Sequence, residues 1–538
     1  MRAPSARTTR QLTSPAAVAE DALYARIIKE GIPRTDTARN VAVVGAGVSG
    51  LVAASLLSQA GHHVTIYEAS QRIGGRILTV REPFTHGFYG EAGAMRIPSF
   101  YTLTSDYIEK FGLPTNTFVN YDTDGNGYIY VNGVKVRQKE YNANGSAGLG
   151  YPLLQGEQLT GTALLTNALQ QISAYVGAES LDDWQTDRWK QVVEKYGEYT
   201  VREFLKGTTF YSEGAIELIE VMQDLESRSD SSLIQQIVEI NDHGPSVVYT
   251  EITGGMDQFS LAFLPGLDAA GVRIHRGHRL TAIDRHEQDA GVTLHFERDT
   301  AEGGNGHPLA HPTVRADAVI VTVPFPGFRY VRVTPMLSHQ KRKAIRELHY
   351  DAATKVMLQF KTRFWETNDG IYGGQSVTDL PSRFIYYPSH DYHGTNGGVV
   401  ITSYTWGDEA RGWDSQPPED QIRCSLDDVA AIHGDYIRDE FVCGVVQSWA
   451  TDRYSYGEAA MFYGGQLEEL QPYIPTPEGA IHFAGEHTSL KHAWIEGAIE
   501  SGIRTALEVA GLADLVLPAA APAPRSTAHP HKVEHSHA

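Results

Sequence analysis

Cysteine is scarce in this 538-residue chain, which contains only Cys424 and Cys443. Two cysteines cannot build the network of disulfides that holds small secreted domains together, so the sequence is not a disulfide scaffold. A chain of this length can instead bury a large hydrophobic core, divided among two or three lobes. Both thiols are expected to be reduced and unreactive.

Basic residues are also few, since 45 Lys and Arg stand against 65 Asp and Glu, a formal net charge of −20. Excess negative charge repels nucleic-acid phosphates and anionic lipid headgroups. The sequence therefore predicts no nucleic-acid partner and no membrane partner.

A continuous apolar run is missing from residues 1–40, which carry basic and small residues instead. Secretory signals and membrane-spanning helices both require such a run, so we expect a cytoplasmic or otherwise soluble protein. Residues 1–38 are interpreted as an N-terminal arm, in which the apolar spacing predicts a short amphipathic helix with Val18, Leu23, Ile27 and Ile28 on one face.

The other end of the chain also lacks apolar periodicity. Residues 516–538 are rich in Pro, Ala and His. Such a composition cannot bury enough apolar surface to fold, so a disordered tail is predicted there in preference to a metal site formed by its histidines. No metal site is assigned anywhere in the chain.

What the sequence does contain is one organised stretch, VAVVGAGVSGLVAASLLSQAGHHVTIYEASQRIGGR, from Val41 to Arg76. It reads as a buried strand, a G-x-G-x-x-G turn at Gly45, Gly47 and Gly50, a helix and a second strand. Glu68 ends that second strand, where a dinucleotide places its ribose hydroxyls. This order predicts a Rossmann-type dinucleotide site, with the pyrophosphate at the start of the helix.

Two further small-residue segments favour FAD over NAD as the ligand. The first, Arg72 to Arg76, would let the backbone contact the ligand at a second place and has cations beside that contact, which a nicotinamide site does not require. In the second, GEAGAMRIP, Gly93 and Ala94 would allow the backbone to contact a flat ring, and Arg96 would project beside it.

Changes of pattern along the chain predict an α/β fold with a Rossmann-type FAD-binding domain, a mixed-sheet substrate domain and an inserted helical lobe. Asp124-Gly125 and Asn132-Gly133 are hairpin signals, and helical spacing dominates residues 156–240. The expected boundaries are 39–98, 250–325 and 445–515 for the FAD-binding domain, 99–150 and 326–444 for the substrate-binding domain, and 151–249 for the helical domain.

Taken together, the motifs GAGVSG, EASQRIGGR, EAGAMRIP, TKV, ITSY and HFAGEHTSLKHAWIEGA resemble the FAD-dependent L-amino acid oxidase family, from about residue 39 to about residue 510. Within that family the chain is most similar to the L-glutamate oxidases, notably across RFIYYPSH and GEHTSLKHAWIEGA. The resemblance implies two-lobed flavin binding and a homodimer. Residues 478–507 contain no cysteine that could link a flavin, so noncovalent FAD is predicted.

The same resemblance implies roles for individual residues. Arg96 and Tyr404 would hold the substrate carboxylate, and Lys355 would hold a water near flavin N5. Trp494 would form a wall beside the substrate amino group, and the carbonyl of Ala493 would accept a hydrogen bond from it; a purely structural role for Trp494 in the core remains the alternative. Lys355 and Trp494 are thus the expected catalytic residues, and no general base is assigned.

The residues expected to contact FAD are drawn from the two glycine-rich segments, the small-residue segment around Arg96, and the final helix. They are Gly45, Gly47, Val48, Ser49, Gly50, Glu68, Ala69, Gly75, Arg76, Gly93, Ala94, Met95, Arg96, Leu280, Glu486, Ile495, Glu496, Gly497 and Ala498.

Side-chain preference is expected to depend on Arg228 and Gln235. An arginine of the L-glutamate oxidases aligns at Arg228, and a histidine of theirs at Gln235. Seven residues are nearly two helical turns, so both side chains could face one pocket. The alternative is that neighbouring acids such as Asp224 neutralise Arg228 in a surface ion pair.

The activity implied is oxidative deamination of L-amino acids, in which the substrate Cα gives hydride to flavin N5 and O2 is reduced to H2O2, with 2-oxo acid and ammonia as products. Several L-amino acids are expected as substrates. Two alternatives stay open: a monoamine or polyamine oxidase of the same fold, and a flavin-binding protein that is not an oxidase.

Overall fold

The computed structural model describes residues 15–177, 186–242, 247–286, 291–298, 311–391, 394 and 396–515. The predicted disordered tail lies outside these residues, as do the first 14 residues of the arm. The amphipathic helix predicted in the arm is confirmed as Pro15–Glu30, and it buries Ile27 and Ile28. Throughout the described part, every helix is too short or too polar to cross a bilayer.

A five-stranded sheet organises the part of the fold that contains the first glycine turn, and all of its neighbouring strands run parallel. Such sheets are buried on both faces, which explains why VAVV has no polar residue. The strands, in spatial order, are Arg273–His275, His63–Tyr67, Asn40–Val44, Ala318–Val321 and Ile481–Phe483.

Two helices pack together against this sheet, Val48–Gln59 and Ile495–Val509. Their close approach depends on Gly502, because a Cβ at this position would lie 2.7 Å from the carbonyl oxygen of Ser49. The last helix of the chain is thereby held beside the first glycine turn. The Rossmann-type architecture predicted from the sequence is confirmed.

A seven-stranded mixed sheet forms the second part of the fold. Its register places Lys355 directly opposite Tyr404 on neighbouring antiparallel strands, so the two side chains share one face. The strands, in spatial order, are Phe441–Ser448, Ala353–Phe360, Gly398–Trp406, Phe384–Tyr386, Gln375–Thr378, Tyr128–Val131 and Val134–Arg137.

Smaller sheets connect these parts. One is Thr313–Ala316, Val292–Arg298, His278–Arg285 and Arg332–Thr334; another is Ile97–Pro98, Tyr249–Ile252 and Thr115–Phe118; two are pairs, Thr79–Val80 with Gly90–Glu91 and His349–Asp351 with Ala459–Met461. The second of them carries Arg96 at its edge, because Ile97–Pro98 follows that residue immediately.

Helices dominate residues 161–242, as predicted: Gly161–Val176, Asp187–Tyr196, Val201–Thr208, Glu213–Met222 and Leu233–Asp242. Thr160, Thr186, Thr200 and Ser212 each begin one of them by accepting a hydrogen bond from a backbone N–H of its first turn.

The other helices lie between strands. They are Thr102–Phe111, Gln138–Asn144, Asp257–Leu261, Leu264–Ala269, Phe325–Phe328, His339–Glu347, Phe364–Thr367, Gly407–Asp414, Pro418–His433, Ile437–Glu440 and Gln466–Leu470, with 3-10 turns at Glu486–Thr488 and Ala513–Leu515.

Candidate active site

A cavity of about 1120 Å³ runs from the carboxyl ends of the parallel strands to the seven-stranded sheet and the helical residues. Ligands of open parallel sheets bind at this edge. Val44, Glu68, Thr322 and Gly485 line the end at the parallel sheet, and Arg96, Tyr404 and Arg228 line the opposite end.

The first glycine turn forms the wall at the parallel sheet. Gly45 has φ +114°, and a Cβ there would lie 2.1 Å from Thr322 Oγ1, so only glycine fits. Gly47, Val48 and Ser49 line the cavity at the start of helix Val48–Gln59, where the positive end of the helix dipole favours an anion. Gly50 does not line the cavity and serves the packing, because its Cβ would meet the Gly45 carbonyl oxygen at 2.1 Å.

Glu68 lies beside this turn and is fixed by two backbone donors. Its Oε2 accepts from the N–H of Ala46 at 2.7 Å, and its Oε1 accepts from the N–H of Ser70 at 2.8 Å. Ala69 and Leu280 line the same part of the cavity. A carboxylate held at the end of the second parallel strand is what the ribose hydroxyls of a dinucleotide require.

The second glycine segment faces the first. A Cβ on Gly75 would lie 3.3 Å from the Cα of Gly47. Next to it, Arg76 Nη1 pairs with Glu486 Oε1 at 2.7 Å and also donates to the carbonyl oxygen of Glu458. Burial raises the pKa of Glu486, but Arg76, His492 and His487 together outweigh this and leave the pKa below its usual value. The ion pair therefore places fixed charges beside the middle of the cavity.

The cavity wall continues along Gly93, Ala94 and Met95, which all line the cavity. A Cβ on Gly93 would lie 2.0 Å from the carbonyl oxygen of Arg76, so this position admits no side chain. A flat ring system can lie against such a surface. These walls, the helix N-terminus and Glu68 together fit the ring, pyrophosphate and ribose of FAD.

Two of the expected FAD contacts in the final helix lie elsewhere. Ile495 and Ala498 line the cavity, whereas Glu496 and Gly497 do not. The Glu496 carboxylate accepts from the N–H groups of Leu103 and Thr104 at 3.0 and 2.8 Å, and so fixes the start of helix Thr102–Phe111. Adjacent residues on a helix point in different directions, so Glu496 points away from the cavity that Ile495 lines.

Arg96 is the central cation at the opposite end of the cavity. Its Nη1 donates to Asn120 Oδ1 and, at 3.2 Å, to the Tyr386 hydroxyl, and its guanidinium lies 5.5 Å from the ring centre of Tyr249. Among the described residues, no carboxylate forms an ion pair with it. Arginine stays protonated in proteins, so this end of the cavity carries a positive charge with only neutral partners.

Tyr404 lines the cavity near Arg96, and its hydroxyl donates to Glu458 Oε1 at 2.7 Å. Its ring lies 6.4 Å from that of Tyr386 and 3.8 Å from that of Trp406. Burial raises the pKa of Glu458, which also lines the cavity. Tyr404 thus joins the surroundings of the cation to a carboxyl group in the cavity wall.

Lys355 lies one layer behind the cavity wall. Its Nζ donates to the carbonyl oxygens of Gly93 at 2.7 Å and Glu91 at 3.1 Å, and it lies 4.3 Å from the ring centre of Tyr404. Burial lowers its pKa to about 7, although Glu458 and Glu91 act in the opposite direction. The lysine therefore sits behind the segment that the flavin ring would contact.

Ala493 and Trp494 close the cavity beside Glu486. Ala493 has φ +65°, which is uncommon for a residue with a side chain, and its N–H donates to Glu486 Oε2 at 3.2 Å. Trp494 immediately precedes helix Ile495–Val509, and its ring packs edge-on against Tyr101 at 5.1 Å. Both residues line the cavity.

Arg228 faces the cavity and is also paired. Its Nη2 lies 3.3 Å from Asp224 Oδ2, and its guanidinium lies 5.4 Å from the ring of Trp406. Both alternatives raised by the sequence therefore apply in part: the arginine lines the cavity, and Asp224 partly neutralises it. Burial raises the pKa of Asp224 despite the neighbouring arginine.

The expected pairing of Arg228 with Gln235 in one pocket is not formed. Gln235 does not line the cavity, and its Oε1 accepts from the N–H of Phe462 at 2.7 Å; Gln236 lines it instead. The prediction that Arg228 and Gln235 face one pocket was wrong because it assumed that both residues lie on one helix. Glu213–Met222 ends before Arg228, and the next helix begins at Leu233.

Three residues near Arg96 were missed by the sequence analysis: Asn120, Tyr386 and Glu458. Tyr386 lies within RFIYYPSH, a motif that carried the resemblance but was given no role. Asn120 and Glu458 lie in segments without a motif, and no local signal could have found them.

Comparison of sequences shows where this chain belongs. Residues 48–510 match the family described as flavin containing amine oxidoreductase, and residues 10–81 match pyridine nucleotide-disulphide oxidoreductase. The chain is 42% identical to YobN of Bacillus subtilis, provisionally named an L-amino-acid oxidase, across 90% of this chain and 97% of that protein. It is 36% identical to the L-amino-acid oxidase of Siganus canaliculatus, and 33% identical to the L-glutamate oxidase precursor of Streptomyces viridosporus. Those two matches span 90% of this chain, and 87% and 88% of the relatives.

Solved structures share the fold at lower identity. A putrescine oxidase variant superposes with a TM-score of 0.69 at 20% identity, and the cyclohexylamine oxidase of Brevibacterium oxydans with 0.68 at 19%. Each comparison covers 88% of this chain and 99% of the other. The chain therefore belongs to the flavin-containing amine oxidoreductases, resembles the L-amino-acid oxidases among them, and uses the family cofactor FAD.

Proposed function

We propose that this enzyme oxidises L-amino acids to 2-oxo acids, with release of ammonia and H2O2. The observation that carries the proposal is Arg96, a cation that lines the cavity with no carboxylate partner among the described residues. A partly buried charge without a counter-ion is unfavourable, and a substrate carboxylate would supply the missing charge.

A carboxylate suits the guanidinium of Arg96 geometrically as well. Two parallel N–H donors match the two oxygens, and each charge-assisted hydrogen bond contributes roughly 1.5 to 3 kcal/mol. A simple amine has no group that would use these donors. The structural similarity to putrescine and cyclohexylamine oxidases concerns the fold, whereas Arg96 bears on the substrate.

Orientation is the main task of the protein in this reaction. When bound, FAD supplies the acceptor for a hydride from the substrate Cα and passes the electrons to O2. Arg96, with Tyr386 and Tyr404 beside it, would hold the carboxylate, and Ala493 and Trp494 would hold the amino group. These two attachments would fix the Cα hydrogen towards the flavin for the L enantiomer, because they leave one direction for the side chain.

The test compares substrates that differ in one group. Under anaerobic conditions, L-phenylalanine should bleach the flavin absorbance, whereas D-phenylalanine and 2-phenylethylamine, which lacks only the carboxylate, should not. In air, only the L-amino acid should yield peroxide and ammonia. Equal bleaching by 2-phenylethylamine would assign the enzyme to the monoamine oxidases, and no bleaching by any of them would leave a flavin-binding protein.

FAD is expected to be bound noncovalently. The chain has two cysteines, Cys424 and Cys443, and neither lines the cavity. No thiol is therefore available to the flavin ring. Denaturation in acid should release all flavin into the supernatant, measured by its absorbance. A yellow pellet after washing would contradict the prediction.

Arg228→Ala is expected to lower kcat/KM for L-glutamate by about tenfold or more, with smaller losses for L-leucine and L-phenylalanine. The reason is the lost cation: the guanidinium of Arg228, which lines the cavity beside Asp224, would no longer face the distal carboxylate of glutamate. Asp224→Asn is the matched control, because it removes the internal counter-ion and should favour glutamate. Equal losses on all three substrates after Arg228→Ala would remove Arg228 from side-chain recognition.

A further inference from the structure

Arg383, the first residue of RFIYYPSH, is a buried cation outside the cavity. Its side chain is 3% exposed, and it lies between two acids: Nη2 is 2.5 Å from Glu226 Oε2, and Nε is 3.0 Å from Glu409 Oε1. Arg383 does not line the cavity, so the mechanism above gives it no role. Its two partners come from separate parts of the chain, and it joins them.

The backbone of Arg383 is part of the substrate-binding sheet. Its N–H donates to Leu380 O at 3.0 Å, and its carbonyl oxygen accepts from Thr378 N at 2.9 Å. Arg383 forms a bridge with Tyr404 and directly precedes strand Phe384–Tyr386. It is therefore rigidly connected to Tyr386 and Tyr404, the two phenols beside Arg96.

Glu226 lies in the segment between helices Glu213–Met222 and Leu233–Asp242. We name residues 223–232 the specificity loop. On one side of this loop, Asp224, Leu225 and Arg228 line the cavity. The loop also packs closely on the start of helix Gly407–Asp414, which directly follows strand Gly398–Trp406, because a Cβ on Gly407 would lie 2.8 Å from both Cβ and the carbonyl oxygen of Ser227.

We propose that Arg383 is a positioning residue that determines side-chain preference, because it ties the specificity loop to the sheet that holds the substrate carboxylate. The inference rests on the proposed function and adds a residue to it. Without the arginine, Glu226 and Glu409 lose the cation that lies between them, so the loop is no longer tied to the sheet and can move outward. Displacements of about 1 Å in a binding site change rates by up to about 100-fold.

The consequence depends on the substrate. With the carboxylate at Arg96, the side chains of L-leucine and L-phenylalanine would extend towards Leu225 and Arg228, which line the cavity, whereas the methyl group of L-alanine would be too short to reach them. A displaced loop therefore alters the kcat/KM of the long substrates and leaves that of alanine nearly unchanged. A general loss of folding would lower all three together.

The experiment compares Arg383→Gln with Arg411→Gln in the FAD-loaded enzyme. Arg411 is a matched control, because it lies on the same helix as Glu409 and pairs with Asp408 at the surface, where both are more than half exposed. We expect Arg383→Gln to lower kcat/KM for leucine and phenylalanine about tenfold, to change that for alanine less than about twofold, and to speed amide hydrogen exchange in residues 223–232. Arg411→Gln should do none of these.

Glu226→Gln guards against misfolding, because Glu226 is 46% exposed and its loss leaves Arg383 paired with Glu409. It should show the same substrate pattern more weakly. Equal losses on alanine and leucine, or unchanged exchange in the loop, would overturn the proposal. Hydrogen exchange can be measured without turnover, so it tests the tie separately from the proposed function. If the wild-type enzyme oxidises no amino acid but Arg383→Gln still speeds exchange in the loop, the proposed function is refuted and the structural role of Arg383 stands.

Discussion

Arg96→Ala is expected to lower kcat/KM for L-amino acids by about two orders of magnitude, equivalent to about 3 kcal/mol of transition-state stabilisation. Among the residues that the structure describes, Arg96 is the one cation that lines this end of the cavity without a carboxylate partner, and the substitution removes it. FAD should remain bound, because Glu68, the glycine turns and the Arg76–Glu486 pair are unchanged. Steady-state kinetics and the flavin spectrum measure the two effects separately.

The decisive comparison is again between L-phenylalanine and 2-phenylethylamine. In the wild-type enzyme the carboxylate should improve kcat/KM strongly, and in Arg96→Ala that advantage should almost disappear. Arg96→Lys is the control, since it keeps the positive charge and loses the planar guanidinium. Its gain in kcat/KM from the substrate carboxylate should lie between those of the wild-type enzyme and Arg96→Ala. Unchanged kinetics in Arg96→Ala would leave this residue as a structural cation held by Asn120 and Tyr386.

Lys355→Met is expected to slow the reaction of the reduced enzyme with O2 roughly ten- to 100-fold, with a smaller effect on reduction by the substrate. Methionine has nearly the same volume as lysine, so the packing behind Gly93 is kept while the charge is removed. The lysine is held by the carbonyl oxygens of Gly93 and Glu91, directly behind the wall that the flavin ring would contact. Stopped-flow absorbance resolves the two half-reactions.

Lys341 provides a matched control for this experiment. Lys341 is also buried, and its Nζ donates to the carbonyl oxygen of Ile474. Burial lowers its pKa to about 7, as for Lys355. Unlike Lys355, it does not contact the cavity wall at residues 93–95, and it does not line the cavity. Lys341→Met should change stability and leave the O2 reaction unaltered. A Lys355→Met enzyme in which only reduction by the substrate is slow would contradict the assigned role.

The pH dependence of the O2 reaction follows from the same lysine. Burial lowers the pKa of Lys355 to about 7, so its ammonium form is lost as the pH rises through that value. A positive charge favours electron transfer to O2, and the rate should therefore fall between about pH 6 and about pH 8. This limb of the pH profile should be absent from Lys355→Met and present in Lys341→Met.

Local spacing was sufficient to find the residues that line one end of the cavity. Gly45, Gly47 and Glu68 lie within one strand, turn, helix and strand unit, and short-range geometry fixes their positions once the unit forms. The same reasoning failed for Gln235, because it assumed a helix where the chain turns between Met222 and Leu233. It also assigned Glu496 and Gly497 to FAD, although they lie behind the helix face that lines the cavity.

The sequence by itself determined the fold class and the cofactor, and it gave Arg96 as the candidate cation for an L-amino acid, because each depends on residues close together in the chain. Only the tertiary structure decided what surrounds that cation. Tyr386 reaches Arg96 across 290 residues, and Lys355 meets Tyr404 through strand pairing. Pairings between distant strands depend on the packing of the whole sheet, which no local pattern encodes, so the neutral partners of Arg96 and the tie at Arg383 could be found only in the folded chain.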